Sequence, residues 1–218
     1  MQEVVGLVGL RGAGKDTAAQ VLLEKGWRRT AFADALYLEA AAAFGVTVEF
    51  LQHRDTKETP LPELALVNCT DLLYVGTFMG YEDERLAAAG ANIPRLTQLT
   101  QPRSPREILQ VWGTEYRRKL YNDDYWRDQV RQVIQANPDV NFVVTDVRFP
   151  DEAKLIEETL GGRLGRVVRP SLPGADDKAL LHSSEVAMLD YPIEHVFINE
   201  EGVAGMERFR AAVLQAFG

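Results

Sequence analysis

A glycine-rich loop close to the first residue constrains the fold of this 218-residue chain more than any other feature of its sequence. The loop spans residues 9–17 and follows an apolar run at residues 4–8, which predicts a buried strand. Apolar residues at helical spacing over residues 15–25 predict a helix, and Gly26 is placed where a helix ends. A strand, a glycine-rich turn and a helix in this order are the setting in which a polypeptide encloses a phosphate group.

Each residue type in the glycine-rich loop suits an anion such as a phosphate. Glycines let the backbone approach closely, consecutive N–H groups can point inward, and the helix N-terminus adds positive potential. Lys15 supplies a charge for the β- and γ-phosphates of a nucleotide. The loop therefore predicts a binding site for a phosphate chain.

Asp16 departs from the usual pattern, in which a serine or threonine follows the lysine and binds Mg²⁺. Its carboxylate could hold the ion directly or through water, or could orient a phosphate acceptor. The sequence leaves both roles open. Asp16 and the following Thr17 are therefore candidate metal ligands, and Asp16 is also a candidate catalytic residue.

A second group of polar residues follows another predicted strand, at residues 141–145. Asp146 comes directly after this strand, and Arg148 follows two residues later. Because parallel α/β sheets bind ligands at the carboxyl ends of their strands, Asp146 is a candidate for binding Mg²⁺ or a substrate sugar or base. Arg148 could neutralise charge on a transferring phosphoryl group. The alternative is an Asp–Arg pair with only a structural role.

Cations in the middle of the chain suggest a second anionic ligand. Arg54 and Lys57 lie three residues apart, and Arg106 lies in the first turn of a helix predicted to begin at Ser104. Arginine matches phosphate oxygens with two parallel donors. Taken singly, each cation is more often an ordinary surface residue. Beside a phosphate-binding loop, the three together suggest an acceptor that already carries a phosphate.

The remaining pattern predicts an α/β fold in one domain of residues 1–218. Strands alternate with helices, which implies a mainly parallel sheet with helices on both faces. Prolines and glycines interrupt residues 46–103, which suggests an inserted helical arm, and residues 170–178 predict an exposed loop. The other predicted elements are strands at 29–33, 166–169 and 196–198, and helices at 35–44, 104–120, 124–136, 151–160 and 203–217.

Composition and charge exclude several classes of function. The chain has 24 basic and 32 acidic residues, a net charge of −8, which argues against a nucleic-acid-binding surface. No apolar run reaches the roughly 18–20 residues that a membrane helix needs. Cys69 is the only cysteine, so no internal disulfide forms, and the first residues lack the basic region of a secretion signal. We therefore expect a cytoplasmic protein whose partners are small molecules rather than nucleic acids or membranes.

Taken together, these motifs resemble the phage-type deoxynucleoside monophosphate kinases, a branch of the P-loop nucleoside monophosphate kinases. The order of the motifs matches over most of the chain, and residues 58–100 are the weakest part. The matching residues are Gly14-Lys15-Asp16-Thr17, Ser104 with Arg106, Gln110 with Gly113-Thr114, Tyr125-Trp126, Asp146 with Arg148 and Glu152, Val167-Val168-Arg169-Pro170, and His182 with Glu185.

The resemblance implies transfer of the γ-phosphoryl group of ATP, with Mg²⁺, to a deoxynucleoside 5′-monophosphate. It implies a three-layer P-loop kinase fold with a helical acceptor-binding arm and a lid at about residues 170–182, and it is compatible with a homodimer. The donor phosphates of ATP would be held by Arg11, Gly12, Ala13, Gly14, Lys15, Asp16 and Thr17, and the catalytic residues would be Lys15, Asp16 and Arg148. The acceptor would be bound by Arg54, Lys57, Arg106, Gly113, Thr114, Trp126, Asp146, Arg148 and Glu152.

Several alternatives stay open. Asp146 fits an acceptor contact in the family pattern and a metal ligand by its position after a strand. Trp126 could stack on a base or pack in the core, and His182 could contact a nucleotide or be structural. Residues 199–202 could border the adenine. The acceptor could instead be another phosphorylated small molecule, similar to phosphomevalonate or dephospho-coenzyme A, and Asp16 is also compatible with a nucleotide-binding regulator that transfers nothing.

Overall fold

A computed structural model describes residues 2–172 and 187–218. The chain forms two compact units. The sheet unit consists of Met1–Phe32 with Arg127–Gly218, and the helical unit is Ala33–Trp126. The described strands are β1 (Val4–Val8), β2 (Arg28–Thr30), β3 (Phe142–Val144), β4 (Arg163–Val168) and β5 (His195–Ile198). The described α-helices are α1 (Lys15–Leu23), α2 (Phe32–Phe44), α3 (Val48–Gln52), α4 (Leu72–Ala88), α5 (Arg95–Thr100), α6 (Pro105–Val111), α7 (Tyr125–Gln135), α8 (Pro150–Lys154) and α9 (Val203–Phe217).

The sheet unit is built on parallel strands, and the described ones lie in the order β2-β3-β1-β4-β5. The central strand β1 is buried along its whole length, as its apolar sequence predicts. Val5 of β1 pairs with Val143 of β3 on one side and with Arg163 of β4 on the other. Because the strands are parallel, the glycine-rich loop after β1 and Asp146 after β3 lie at the same edge of the sheet.

Side chains of β1 alternate between two cores on opposite faces of the sheet. Val5 and Leu7 belong to a core shared with α1 and α9. Val4 and Val8 belong to a second core, shared with α7 and α8. The predicted architecture of a mainly parallel sheet with helices on both faces is therefore confirmed.

The helical unit has a core of its own that is rich in aromatic residues, including Tyr74, Phe78, Trp112 and Tyr116. Tyr74 is fully buried, and its ring centroid lies 4.3 Å from that of Trp112. The predicted arm, residues 46–103, lies inside this unit, which begins earlier and ends later in the chain.

The helix predicted to begin at Ser104 does so through a capping box. The Glu107 N–H donates to Oγ of Ser104 at 3.3 Å, and Oε2 of Glu107 accepts from the Ser104 N–H at 3.0 Å. Over Trp112–Lys119 the backbone hydrogen bonds follow the wider pattern of a π-helix. The predicted helix over residues 104–120 is thus one helical run with two geometries.

Several predicted elements differ from the structure: the strand predicted at 29–33 is shorter, Arg28–Thr30, and the strand predicted at 166–169 is longer, Arg163–Val168. Helix α2 begins at Phe32 rather than residue 35, because Oδ1 of Asp146 accepts a hydrogen bond from the Phe32 N–H. Of the lid predicted at 170–182, residues 173–182 lie outside the described residues, and they include His182. Within 2–172 and 187–218, no helix is both long and apolar enough to cross a membrane.

Candidate active site

Two glycines of the glycine-rich loop occupy backbone positions that strain other residues. Gly9 has φ of 152°, and a Cβ atom on it would lie 2.4 Å from the carbonyl oxygen of Val167. Gly14 has φ of 107°, and a Cβ atom on it would lie 2.3 Å from Nδ2 of Asn199. Both sites therefore require glycine, as expected for a backbone that wraps closely around a ligand.

The N-terminus of α1 opens directly from this loop. Gly14 is the N-cap residue and has no side chain with which to bond the first N–H groups of the helix. Lys15 folds back over the loop, where its Nζ donates to the carbonyl oxygens of Gly9 at 2.7 Å and Leu10 at 3.0 Å. A helix N-terminus and an ammonium group thus meet at the end of the central strand, an arrangement that favours an anionic ligand.

Asp16 and Thr17 lie in the first turn of α1, and the side chains of Asp16 and Arg11 are exposed. Carboxylate and hydroxyl oxygens are ligands that Mg²⁺ prefers. Among the described residues, no group of three or more histidine, cysteine or acidic side chains could hold a metal by itself. Asp16 and Thr17 thus carry the kinds of oxygen that Mg²⁺ binds, as two of the several ligands that such an ion needs.

Asp146, Arg148 and Glu152 are held around the end of β3 by hydrogen bonds to the backbone. Oδ1 of Asp146 accepts from the Phe32 N–H at 2.7 Å. Glu152 is 6% exposed, and its Oε2 accepts from the N–H groups of Arg148 at 2.7 Å and Phe149 at 3.1 Å. These bonds fix the backbone that carries Arg148, whose side chain is exposed. Asp146 and Glu152 thus have structural roles whether or not they touch a ligand.

In the helical unit, the backbone brings three predicted cations together. The Lys57 N–H donates to the carbonyl of Arg54 at 3.4 Å, and the Arg106 N–H donates to the carbonyl of Lys57 at 3.1 Å. Nζ of Lys57 donates to the Tyr37 hydroxyl at 3.0 Å, and the Arg106 guanidinium pairs with Glu58. Arg54 is exposed, and the side chain of Arg106 is 45% exposed. The three cations are therefore neighbours along the backbone, and two of them, Arg54 and Arg106, are exposed.

Trp126 lies in the core of the helical unit. It is 5% exposed, and its indole N–H donates to the carbonyl of Gly113 at 3.1 Å. Thr114, beside Gly113, is exposed. The burial of Trp126 favours packing over stacking on a base, and Trp126 in turn fixes the backbone next to Thr114.

Glu39 organises a cluster that the sequence analysis did not single out. Its Oε2 accepts from Nε1 of Trp112 at 2.9 Å and Nε of Arg117 at 2.6 Å, and its Oε1 accepts from the Tyr125 hydroxyl at 2.5 Å. Burial and this bond raise the pKa of Tyr125 to about 12. A cavity of about 610 Å³ lies beside the cluster. Hydrogen bonds reach both oxygens of the Glu39 carboxylate, so the cluster stabilises the helical unit.

Asn199, which follows β5, contacts the glycine-rich loop itself. Its Nδ2 donates to the carbonyl of Ala13 at 2.8 Å, and the residue is 6% exposed. A polar residue directly after a parallel strand was the only signal in the sequence for this contact.

No protein-family model matches the chain. The deoxynucleoside-5′-monophosphate kinase of Escherichia phage T5 is 32% identical over 189 residues, and the match covers 73% of each chain. The chain belongs to the deoxynucleoside monophosphate kinase family. A second relative, from Acanthamoeba polyphaga mimivirus and provisionally named deoxynucleotide monophosphate kinase, is 30% identical over 198 residues, which are 85% of this chain and 81% of the relative.

Membership in the deoxynucleoside monophosphate kinase family makes the chain a phosphotransferase that acts on nucleotides. Its sheet unit has the layers of the P-loop kinase fold that the resemblance implied. Among solved structures, a dephospho-CoA kinase from Campylobacter jejuni aligns with 99% of this chain and 96% of its own, at 15% identity and a TM-score of 0.47.

Proposed function

We propose that this deoxynucleoside monophosphate kinase transfers the γ-phosphoryl group of ATP to a deoxynucleoside 5′-monophosphate and releases the diphosphate and ADP. The observation that carries the proposal is the anion site formed by the glycine-rich loop, the N-terminus of α1 and Lys15. The sequence identity to the phage T5 kinase supports a nucleotide as the acceptor.

The donor phosphates of ATP bind to residues 11–17 in this proposal. Backbone N–H groups and Lys15 offset the negative charge of the phosphates. Asp16 and Thr17 would hold Mg²⁺, which when bound supplies further neutralisation of the β- and γ-phosphate oxygens. An orienting role of Asp16 toward the acceptor is the alternative.

The acceptor phosphate binds Arg54, Lys57 and Arg106 in this proposal, because these cations are neighbours and guanidinium groups match phosphate oxygens. On binding, Arg106 would leave Glu58 and pair with the phosphate instead. This costs little, because an exposed ion pair contributes little free energy. The other proposed acceptor residues are Gly113, Thr114, Trp126 through its packing, Asp146, Arg148 and Glu152.

Phosphoryl transfer of this kind depends on alignment and charge neutralisation. The acceptor phosphate is already a nucleophile at neutral pH, so no side chain has to remove a proton from it. Lys15 and Arg148 would stabilise the charge that spreads over the transferring group. A lid at 170–182 and a homodimer stay predictions.

The proposal is tested by assaying ADP release with Mg²⁺-ATP and a panel of acceptors. The panel contains the common deoxynucleoside monophosphates, their ribonucleotide counterparts, phosphomevalonate and dephospho-coenzyme A. We expect ADP release with at least one deoxynucleoside monophosphate. Release only with one of the other phosphorylated small molecules would replace the acceptor in the proposal. ATP binding without turnover on any acceptor would identify a regulator instead.

We expect Arg106→Ala to raise the KM for the acceptor by about tenfold or more, because a charge-assisted contact to the phosphate is lost. The KM for ATP should stay unchanged. Arg95→Ala is the matched control, since Arg95 is also an exposed arginine of the helical unit paired with a carboxylate, Asp83. Steady-state kinetics with each substrate varied would check this, and a change confined to the ATP side would contradict the assignment of Arg106.

A further inference from the structure

The side chain of Asn199 is the point at which the end of β5 holds the glycine-rich loop. The Asn199 N–H extends the sheet by donating to the carbonyl of Val168 at 2.7 Å, so its backbone is fixed. Its side-chain Nδ2 donates to the carbonyl of Ala13 at 2.8 Å. A carbonyl can only accept, so the group facing it must be the amide N–H₂ rather than the amide oxygen.

This bond sets the orientation of one peptide plane in the loop. In a trans peptide, the carbonyl of Ala13 and the N–H of Gly14 point in opposite directions. Because the carbonyl points at Asn199, the Gly14 N–H points in the opposite direction within the peptide plane, away from Asn199. Gly14 can adopt its φ of 107° beside Asn199 because it has no Cβ atom to meet Nδ2.

We propose that Asn199 is a positioning residue for the donor phosphates of ATP: by holding the Ala13 carbonyl, its amide turns the Gly14 N–H toward the phosphate that the loop encloses. This inference rests on the proposed function. In this inference Asn199, 186 positions away from Ala13 in the sequence, helps the glycine-rich loop to bind phosphate. Asn199 itself need not touch the nucleotide.

Two substitutions separate positioning from packing. Asn199→Asp keeps the size of the side chain but places a carboxylate oxygen against the Ala13 carbonyl, so it removes the donor and adds repulsion. Asn199→Ala removes the donor and leaves a cavity. If Asn199 only packs, Asn199→Ala weakens ATP binding more than Asn199→Asp does, because only Asn199→Ala leaves a cavity. If Asn199 positions the peptide, Asn199→Asp is at least as harmful to ATP binding.

Gln2→Glu is the matched control. Gln2 lies in the same sheet unit, and its side-chain amide also donates to backbone carbonyls, those of Ile134, Asn137 and Val140. Gln2 precedes β1, however, whereas the glycine-rich loop follows it. Gln2→Glu should therefore lower the thermal midpoint and leave the Kd and the KM for ATP unchanged.

The experiment measures the Kd for ATP by calorimetry, the KM for each substrate and the thermal midpoint of the full chain. We expect both Asn199 variants to raise the Kd and the KM for ATP by about tenfold, with the acceptor KM unchanged. Wild-type ATP affinity in folded Asn199 variants, with only a lowered thermal midpoint, would overturn the inference, as would a larger loss of ATP affinity in Asn199→Ala than in Asn199→Asp. If Asn199→Asp does not fold, Asn199→Leu, which is close to asparagine in size but has neither a donor nor a charge, takes its place: the inference stands only if Asn199→Leu weakens ATP binding at least as much as Asn199→Ala does.

Failure of the proposed function would look different. A wild-type chain that binds ATP but phosphorylates no deoxynucleoside monophosphate would overturn that function, while the Kd comparison among variants would still decide the role of Asn199.

Discussion

Replacing Lys15 with alanine is expected to lower kcat by about 10²- to 10³-fold, the size of loss that follows when one donor aimed at developing negative charge is removed. In the proposed complex, the Lys15 ammonium neutralises the β- and γ-phosphate oxygens as charge shifts during transfer. Two hydrogen bonds of this ammonium, to the carbonyls of Gly9 and Leu10, lie within the loop, and Lys15 belongs to neither core of the sheet unit. The fold should therefore survive, which circular dichroism and the thermal midpoint would establish.

Lys25→Ala is the control for the loss of charge. Lys25 is an exposed residue just beyond the other end of α1, so its removal changes the net charge equally but leaves the loop untouched. Its kcat should match that of the wild type. A Lys15→Ala enzyme with near wild-type turnover would mean that the glycine-rich loop does not act on the transferred group.

Gly14→Ala is expected to weaken ATP binding by about 10²-fold, because two sources of strain of about 1–3 kcal/mol each act on the same loop. One is the φ of 107°, which a residue with a Cβ atom rarely adopts. The other is the 2.3 Å separation between that Cβ atom and Nδ2 of Asn199. The loop or Asn199 must move, and either movement disturbs the direction of the N–H groups. Calorimetric titration with ATP measures the effect.

Gly80→Ala is the matched substitution. Gly80 lies inside α4, and a Cβ atom on it would meet nothing within 4 Å. Alanine there should stabilise the chain by about 0.5–1 kcal/mol and leave ATP binding unchanged. If Gly14→Ala bound ATP as tightly as Gly80→Ala, the loop would not require the backbone described for it.

Short-range sequence patterns predicted most of the fold and part of the candidate site. The apolar run that forms β1, the loop after it and the helix start at Ser104 depend on residues a few positions apart, so the sequence alone predicted them. The cations at Arg54, Lys57 and Arg106 could be grouped by charge, and the backbone bonds among them support that grouping.

The roles that sequence reasoning missed depend on contacts made by the folded chain. The carboxylate of Glu152 caps the turn that carries Arg148, a bond that an acidic residue in a first helical turn does not reveal by itself. For Trp126 the sequence left base stacking and core packing both open, and its burial in the core of the helical unit, with a bond to the Gly113 carbonyl, favours packing. The bond from Asn199 to Ala13 joins residues that are neighbours only once the sheet has formed.

The most direct measurement of the central claim is the fate of a labelled γ-phosphate. ATP carrying the label is mixed with Mg²⁺, the wild-type chain and each deoxynucleoside monophosphate, and the nucleotides are separated. We predict that label appears in a deoxynucleoside diphosphate, in amounts equal to the ADP formed, and that Lys15→Ala abolishes nearly all of it. Label released only as inorganic phosphate, or retained in ATP with every acceptor, would contradict the account.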